Sequence, residues 1–302
     1  MSIIAKLMTL VMRHTVKKRL KNMPSDPDTF REHLAAVSGL LPRPSSKANI
    51  THLEVGNIQC EWISFGEGAG NQVMLYLHGG GYALGLTESH RNFASRLADA
   101  SGISLLLPLY RLAPEAPFPA ALDDVTECYR WLLDEGHDPI DISVGGDSAG
   151  GGLTMALLVN LRNQGLPMPN AGVLLSPWAD LSGSGDSYGR NAAVDPMLSP
   201  SVLGKFARFY VGERDLKAPL VSPVYADLRG LPSIFVQVGS TEVLLSDSER
   251  LVDRINQEGG DAHLNVWPDM PHVFQLFAIP ESEAAITKLS AFVKSHMPVS
   301  AA

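Results

Sequence analysis

Gly146-Asp147-Ser148-Ala149-Gly150 sets one hydroxyl between two glycines. The segment follows an apolar stretch, Ile142–Gly145, that reads as a strand, and it opens a helical stretch that Gly165 closes. G-x-S-x-G between a strand and a helix makes a sharp, strained turn that projects Ser148 Oγ above a sheet edge, where a nucleophile belongs. The helix start behind it supplies free N–H groups and a positive dipole. The competing reading is a plain Gly/Ser turn. A second segment, His78-Gly79-Gly80-Gly81, follows the strand-like Val73–Leu77. Backbone N–H groups approach a ligand oxygen closely only where no side chain obstructs them, and a tetrahedral oxyanion needs such donors already aimed. Gly80 and Gly81, with the amide of Ala149, are the candidate oxyanion hole. A phosphate loop is the alternative, but neither G-x-G-x-x-G nor G-x-x-x-x-G-K-[ST] occurs. His78, on the oxyanion strand, reads as a structural hydrogen-bonding residue.

A serine nucleophile needs a base and an acid, expected in the order Ser, acid, His. The histidines after Ser148 are His263, His272 and His296. His263 begins a strand and His296 is near the chain end. His272, in Asp269-Met-Pro-His-Val-Phe274, falls in the loop after a strand and is the candidate base. For the acid, Glu242 and Asp247 both follow the strand-like Ile234–Val238, and Asp269 belongs to the wrong loop.

These residues need a scaffold. His52–Val55 and Ile58–Ile63 alternate in polarity around Gly56-Asn57, which predicts an antiparallel hairpin. Val73–Leu77, Ile103–Leu107, Ile142–Gly145, Ala171–Leu175, Ile234–Val238 and His263–Trp267 are short, mostly apolar runs. Helical stretches lie between most of them, at Asn92–Ala100, Leu122–Leu133, Ala149–Gln164 and Asp247–Gln257, and a last one lies near Ser282–Lys294. Continuous apolar strands alternating with helices indicate a buried parallel sheet, here of about eight strands in an α/β fold. The interval from Leu175 to Ile234, about sixty residues without a clear strand, predicts a helical cap. The expected domains are an N-terminal helical segment 1–45 contributing to the cap, a catalytic domain 46–180 and 226–302, and a cap insertion 181–225. Residues 24–48, with one short helical stretch, read as a connector.

His78-Gly-Gly-Gly81, Tyr110-Arg-Leu-Ala-Pro-Glu-Ala-Pro-Phe-Pro119 with Ala121-Leu-Asp-Asp124, Gly146-Asp-Ser-Ala-Gly150 and Leu175-Ser-Pro-Trp178 resemble the bacterial hormone-sensitive-lipase-like (family IV) carboxylesterases. Their order and spacing match over roughly residues 45–295. The resemblance implies an α/β-hydrolase fold with a helical cap, hydrolysis of carboxylic esters with short acyl chains, and neither metal nor cofactor. His272 matches the family's Met-x-His-x-Phe pattern. The family's acid is an Asp in Asp-Pro-Leu, and aligning the Leu puts Glu242 at that place, with Asp247 as the alternative. The family often has Gly where this chain has Asp269. In the Tyr110–Pro119 segment, Arg111 and Glu115 are expected to pair. The resemblance is compatible with a homodimer.

Tyr82, Leu84, Trp178, Phe206, Phe209 and Val273 are candidate apolar walls for the substrate, with core packing the competing role of each. Composition narrows the partners. Lys plus Arg number 24 and Asp plus Glu 32, a net charge of −8, which disfavours nucleic acid. The 302 residues hold no run of 18 apolar ones, so no transmembrane helix is expected. Cys60 and Cys128 read as buried thiols. Met1–Met12 reads as an amphipathic helix with Ile4, Leu7, Met8 and Val11 on one face that packs on the domain, a membrane-surface role being the minority alternative. It lacks the order of a signal peptide, so a cytoplasmic location is expected. The expected partner is a small ester. An amidase or deacetylase with the same residues is the second reading. A binder like the gibberellin receptors, which resemble this family without its catalytic histidine, is the third.

Overall fold

A computed structural model of the chain describes residues 1–22, 31, 48–65 and 71–298. The short helical stretch expected within 24–48 lies outside these residues, apart from Arg31. Helices α1 (Ile3–His14) and α2 (Val16–Lys21) precede the hairpin β1 (Ala48–Val55) and β2 (Ile58–Phe65). The chain then alternates through β3 (Val73–Leu77), α3 (Glu88–Ser101), β4 (Ser104–Pro108), α4 (Ala120–Asp134), β5 (Ile142–Asp147), α5 (Ala149–Asn163) and β6 (Ala171–Leu175). The short α6 (Ser187–Arg190) and α7 (Pro200–Val211) fill the long interval. It closes with β7 (Ser233–Gly239), α8 (Leu245–Gln257), β8 (Ala262–Trp267) and α9 (Pro280–His296).

The eight strands form one sheet in the order β1-β2-β4-β3-β5-β6-β7-β8. β1 with β2, and β2 with β4, run antiparallel, and every other pair is parallel. This is the α/β-hydrolase arrangement. Val55 pairs with Ile58, so the hairpin turns in two residues, and Gly56 alone takes a positive φ (57°), as a II′ turn asks of its first position. The parallel strands are apolar on both faces because both are covered. Val73, Leu75 and Leu77 pack with α4 and α5, whereas Met74 and Tyr76 pack with α3 and α9. Cys60 and Cys128 are buried free thiols with their Sγ atoms 3.8 Å apart.

Two expectations change. Arg111 pairs with Asp124 (2.7 Å), not Glu115, because Asp124 in the first turns of α4 also accepts the Arg111 backbone N–H (2.8 Å); Glu115 instead meets Arg31 (2.8 Å). Helix α1 packs by the face opposite to the one expected. Ala5 and Met12 are buried, and Ala5 joins Met270, Phe274, Ile279 and Ala285 in a small cluster that Met8 flanks. The small Ala5 side chain permits close approach, while Ile4, Leu7 and Val11 are left 58, 62 and 52 % exposed.

Candidate active site

Strand register gathers the chemistry-bearing loops at one edge of the sheet. Leu77 pairs with Gly146, Asp147 with Leu175, Leu175 with Gln237, and Gly239 with Trp267. The segments that follow β3, β5, β6, β7 and β8 therefore leave side by side. Ser148 sits between β5 and α5 at φ 54° and ψ −120°, outside the ordinary regions for a residue with a Cβ. Its N–H donates to Leu175 O (2.8 Å) and its carbonyl accepts from Trp178 N (2.8 Å), which hold the strained turn. Gly150 is obligatory here, since any Cβ would run into the Leu77 and His78 carbonyls.

Ser148, His272 and Glu242 form one hydrogen-bonded line. His272 Nε2 lies 2.9 Å from Ser148 Oγ, and His272 Nδ1 lies 2.7 Å from Glu242 Oε2. A carboxylate only accepts, so Nδ1 donates to it and Nε2 is left to accept from the serine hydroxyl. Burial works to lower the His272 pKa, but the hydrogen bond and charge of Glu242 outweigh it and hold the imidazole above its ordinary value. Glu242, fully buried, also accepts from Ser176 Oγ (2.7 Å) and from Gly239 N. Asp247 does not join this line. It lies in α8 and accepts from Ala179 N (3.0 Å) and Asp180 N (2.9 Å), and burial with the nearby Asp180 charge pushes it well above the usual carboxylate range. His263 is exposed on β8 beside Asp261, and His296 packs on Phe292.

Gly80 and Gly81 line the pocket in front of Ser148 at φ 114° and 63°. Ala149 is the first residue of α5, so its N–H has no acceptor within the helix. His78 stacks on Tyr110 (4.2 Å between ring centres), and burial together with the neighbouring His90 lowers it to about 4, so it is neutral at pH 7. Asp269 takes φ 60°, the left-handed conformation that a glycine would supply, and its N–H donates to Ser240 Oγ (2.9 Å).

The pocket has a volume of about 180 Å³. Of the expected walls, Leu84, Trp178, Phe206 and Val273 line it, joined by Val16 and Leu20 of α2 and Met197, Leu198 and Leu203 near and in α7. Tyr82 and Phe209 are not among its lining residues. Tyr82 is stacked on Tyr210 (3.6 Å), and the half-buried Phe209 packs edge-on to Phe206. Among the described residues no group of His, Cys, Asp or Glu is arranged to hold a metal ion.

Several supporting contacts carry no signal that types and spacing could expose. Ser176, within the Leu175-Ser-Pro-Trp178 segment, takes φ 49° and bridges Glu242 to Val273 N (3.2 Å). Val273 itself has φ 46°, a costly conformation for a β-branched residue, directly after His272. Asp147 Oδ1 accepts from Gly79 N and Tyr76 OH, both at 3.0 Å, and so fastens the glycine loop to the serine turn. Asn191 Nδ2 donates to Glu242 O (2.8 Å), and Asp195 accepts from Val243 N (2.9 Å). These contacts span distant parts of the chain, so only the folded structure displays them.

A sequence profile of the α/β hydrolase fold family matches residues 74–276. The chain is 41% identical over 243 residues to an acetyl-hydrolase of Streptomyces hygroscopicus, covering 80% of this chain and 81% of that one. It is 33% identical over 273 residues to an esterase of Acinetobacter venetianus, covering 89% of each. Its fold superposes on the crystal structure of an esterase from the bacterial hormone-sensitive lipase family with a TM-score of 0.91 and 42% identity, over 96% of this chain and 98% of that one.

Proposed function

The chain belongs to the hormone-sensitive-lipase-like esterases of the α/β-hydrolase fold, and from that premise we propose that it hydrolyses short-chain acyl esters, acetyl esters first, through an acyl-enzyme on Ser148. The observation that carries this reading is the Ser148–His272–Glu242 line, at 2.9 and 2.7 Å, opening into an apolar pocket of about 180 Å³. Pockets for drug-sized ligands run to roughly 300–1,000 Å³. The smaller space here favours a short acyl group.

His272 takes the proton of Ser148 Oγ as that oxygen adds to the ester carbonyl. Glu242 keeps Nδ1 protonated and stabilises the imidazolium that forms. Negative charge on the carbonyl oxygen is met by the amides of Gly80, Gly81 and Ala149. His272 returns its proton to the alcohol as the C–O bond breaks. A water deprotonated by the same nitrogen then attacks the acyl carbon and frees Ser148.

The test is a series of p-nitrophenyl esters from acetyl to palmitoyl, with Ser148→Ala alongside and intact-mass spectrometry to trap the acyl-enzyme. The expected result is a maximum at acetyl to butyryl, a mass increase equal to the acyl group, and loss of both in Ser148→Ala. Turnover of short esters that survives Ser148→Ala would overturn it. A second reading is an amide-linked acetyl substrate, since the name of the Streptomyces relative, acetyl-hydrolase, fits an ester and an amide alike. Comparing p-nitrophenyl acetate with p-nitroacetanilide decides between them.

A further inference from the structure

Helix α1 turns its more apolar face outward. Ile3, Ile4, Leu7, Leu10 and Val11 are 85, 58, 62, 54 and 52 % exposed. At about 100° per residue these five occupy an arc of about 120°. Single exposed apolar side chains are ordinary, but five on one face of one helix form a patch. The helix cannot simply roll over to bury them. Its opposite face is already seated through Ala5 and Met12, and Ser2 Oγ is bonded to Glu281 Oε2 (2.9 Å) at the start of α9. Arg13 Nη2 also fastens the end of the helix to the Val194 carbonyl (3.0 Å).

The rim of this patch has a definite charge. The first 22 residues contain six Lys and Arg and no Asp or Glu, in a chain whose net charge is −8. Lys6 and Arg13 border the apolar arc on α1, and Lys18 and Lys21 continue past the break at Thr15. All four are exposed. A second copy of the chain seated here would set these cations against themselves. An apolar strip bordered by cations instead matches a surface with an apolar interior and anionic phosphates.

We propose that the outward face of α1 docks on an anionic phospholipid surface. Ile3, Leu7 and Leu10 enter the level between headgroups and acyl chains, while Lys6, Arg13, Lys18 and Lys21 meet the lipid phosphates. The next helix, α2, contributes Val16 and Leu20 to the pocket in front of Ser148, so the docked strip lies one helix from the acyl site. Delivery of acyl substrates from that surface rests on the function proposed above; the docking does not.

The experiment is co-sedimentation of the full chain with phosphatidylcholine vesicles containing or lacking phosphatidylglycerol, at low and high salt. The expected result is binding to the anionic vesicles that salt weakens and that pure phosphatidylcholine lowers by on the order of tenfold or more. Leu7→Gln with Val11→Gln, and separately Lys18→Glu with Lys21→Glu, each lower the anionic binding by at least about tenfold. Thermal unfolding of both variants stays at the wild-type temperature, because these side chains are exposed. Absence of sedimentation with anionic vesicles overturns the proposal, as does equal binding by wild type and both variants. A dimer in light scattering that Leu7→Gln with Val11→Gln abolishes, without any vesicle binding, overturns it in favour of a face between copies. Each readout is independent of esterase activity, so neither reading can fail in the guise of the other.

Discussion

Glu242→Gln separates the proposed acid from everything else in the Ser148–His272 line. The carboxylate uses both oxygens: Oε2 accepts from His272 Nδ1 at 2.7 Å, and Oε1 accepts from Ser176 Oγ at 2.7 Å and from Gly239 N. Glutamine has the same shape but one acceptor and one donor. If its NH₂ faces His272, the ring must move its proton to Nε2, which can then no longer accept from Ser148. In serine proteases that wrong tautomer costs about 10⁴ in kcat, or about 5.4 kcal/mol at 1.36 kcal/mol per decade. If its oxygen faces His272, the NH₂ points at Gly239 N and two buried donors oppose each other, a penalty of about 1–3 kcal/mol, or roughly 10- to 100-fold. The expected loss in kcat is therefore between about 10- and 10⁴-fold, with KM little changed. The pH profile carries an independent sign. His272 must be neutral to act as base, and its folded pKa is raised above 6.5 because Glu242 outweighs burial. Wild-type kcat/KM should fall as pH drops through that raised value. In Glu242→Gln the burial penalty is opposed only by the charges of Asp195 and Asp147, so the acidic limb should move to lower pH. The assay is p-nitrophenyl acetate hydrolysis from pH 5 to 9, with Asp247→Asn in parallel. Asp247 touches Ala179 N and Asp180 N, so its variant should lose thermal stability and keep kcat within about tenfold. Glu242→Gln with near-wild-type kcat and an unmoved acidic limb would refute the reasoning.

Three further outcomes are expected. Ser176→Ala removes the hydroxyl that positions Glu242 and lowers kcat by about 10- to 100-fold, from the roughly 1.5–3 kcal/mol of a hydrogen bond to a charged group. Its acidic limb also shifts, which a purely structural role would not produce. Gly81→Ala forces a Cβ onto a backbone at φ 63° and to 2.6 Å from the Phe206 ring, which displaces the glycine loop. It should cost on the order of 100-fold in kcat/KM on p-nitrophenyl acetate. Phe206→Ala opens the pocket beyond about 180 Å³, so the ester series should shift its maximum to longer chains, at about 3–5 kcal/mol of stability measured by denaturant unfolding.

What could be read along the chain depended on whether a function needs a local signature. Ser148 and the His78–Gly81 loop did, because turns that strained demand glycine at fixed offsets, and Gly150 would otherwise strike the Leu77 and His78 carbonyls. His272 was isolated by the strand that precedes it. Glu242 was different: a carboxylate reaching across from its own loop imposes no pattern on its neighbours, so the preference for it over Asp247 rested on the family resemblance and on Asp247 falling in the next helix. The structure separates the two through their partners, His272 for one and the Ala179–Asp180 backbone for the other. Helix α1 fails in another way. Periodicity reveals that Ile4, Leu7 and Val11 share a face, but burial is decided by whether a complementary surface exists, and that surface accepts only the narrow Ala5 side. Arg111 was likewise matched to a carboxylate near it in sequence, Glu115, whereas helix α4 presents Asp124 to the Arg111 side chain and backbone together.

The interval between β6 and β7 ties several parts of the pocket together. Asp195 accepts from Met197 N and Leu198 N (2.8 Å each) with one oxygen and from Val243 N (2.9 Å) with the other. Met197 and Leu198 are pocket wall, and Val243 follows Glu242 directly. Asn191 adds a bond to the Glu242 carbonyl (2.8 Å), and Lys17 of α2 donates to the carbonyls of Ala192 (2.8 Å) and Asp195 (2.6 Å). The Met197–Leu198 pocket wall, the loop that carries Glu242 and helix α2 are thus tied together through the Asn191–Asp195 segment. Side chains such as Phe206 and Leu203, which reach the pocket from α7, stand apart from those ties. Substitutions there can change pocket size while the acid loop stays in place, whereas substitutions at Asp195 or Asn191 act on both at once. If the proposed mechanism holds, acyl preference should therefore be separable from turnover at Leu203 and Phe206 of α7 and inseparable from it at Asn191 and Asp195, in the segment that precedes that helix.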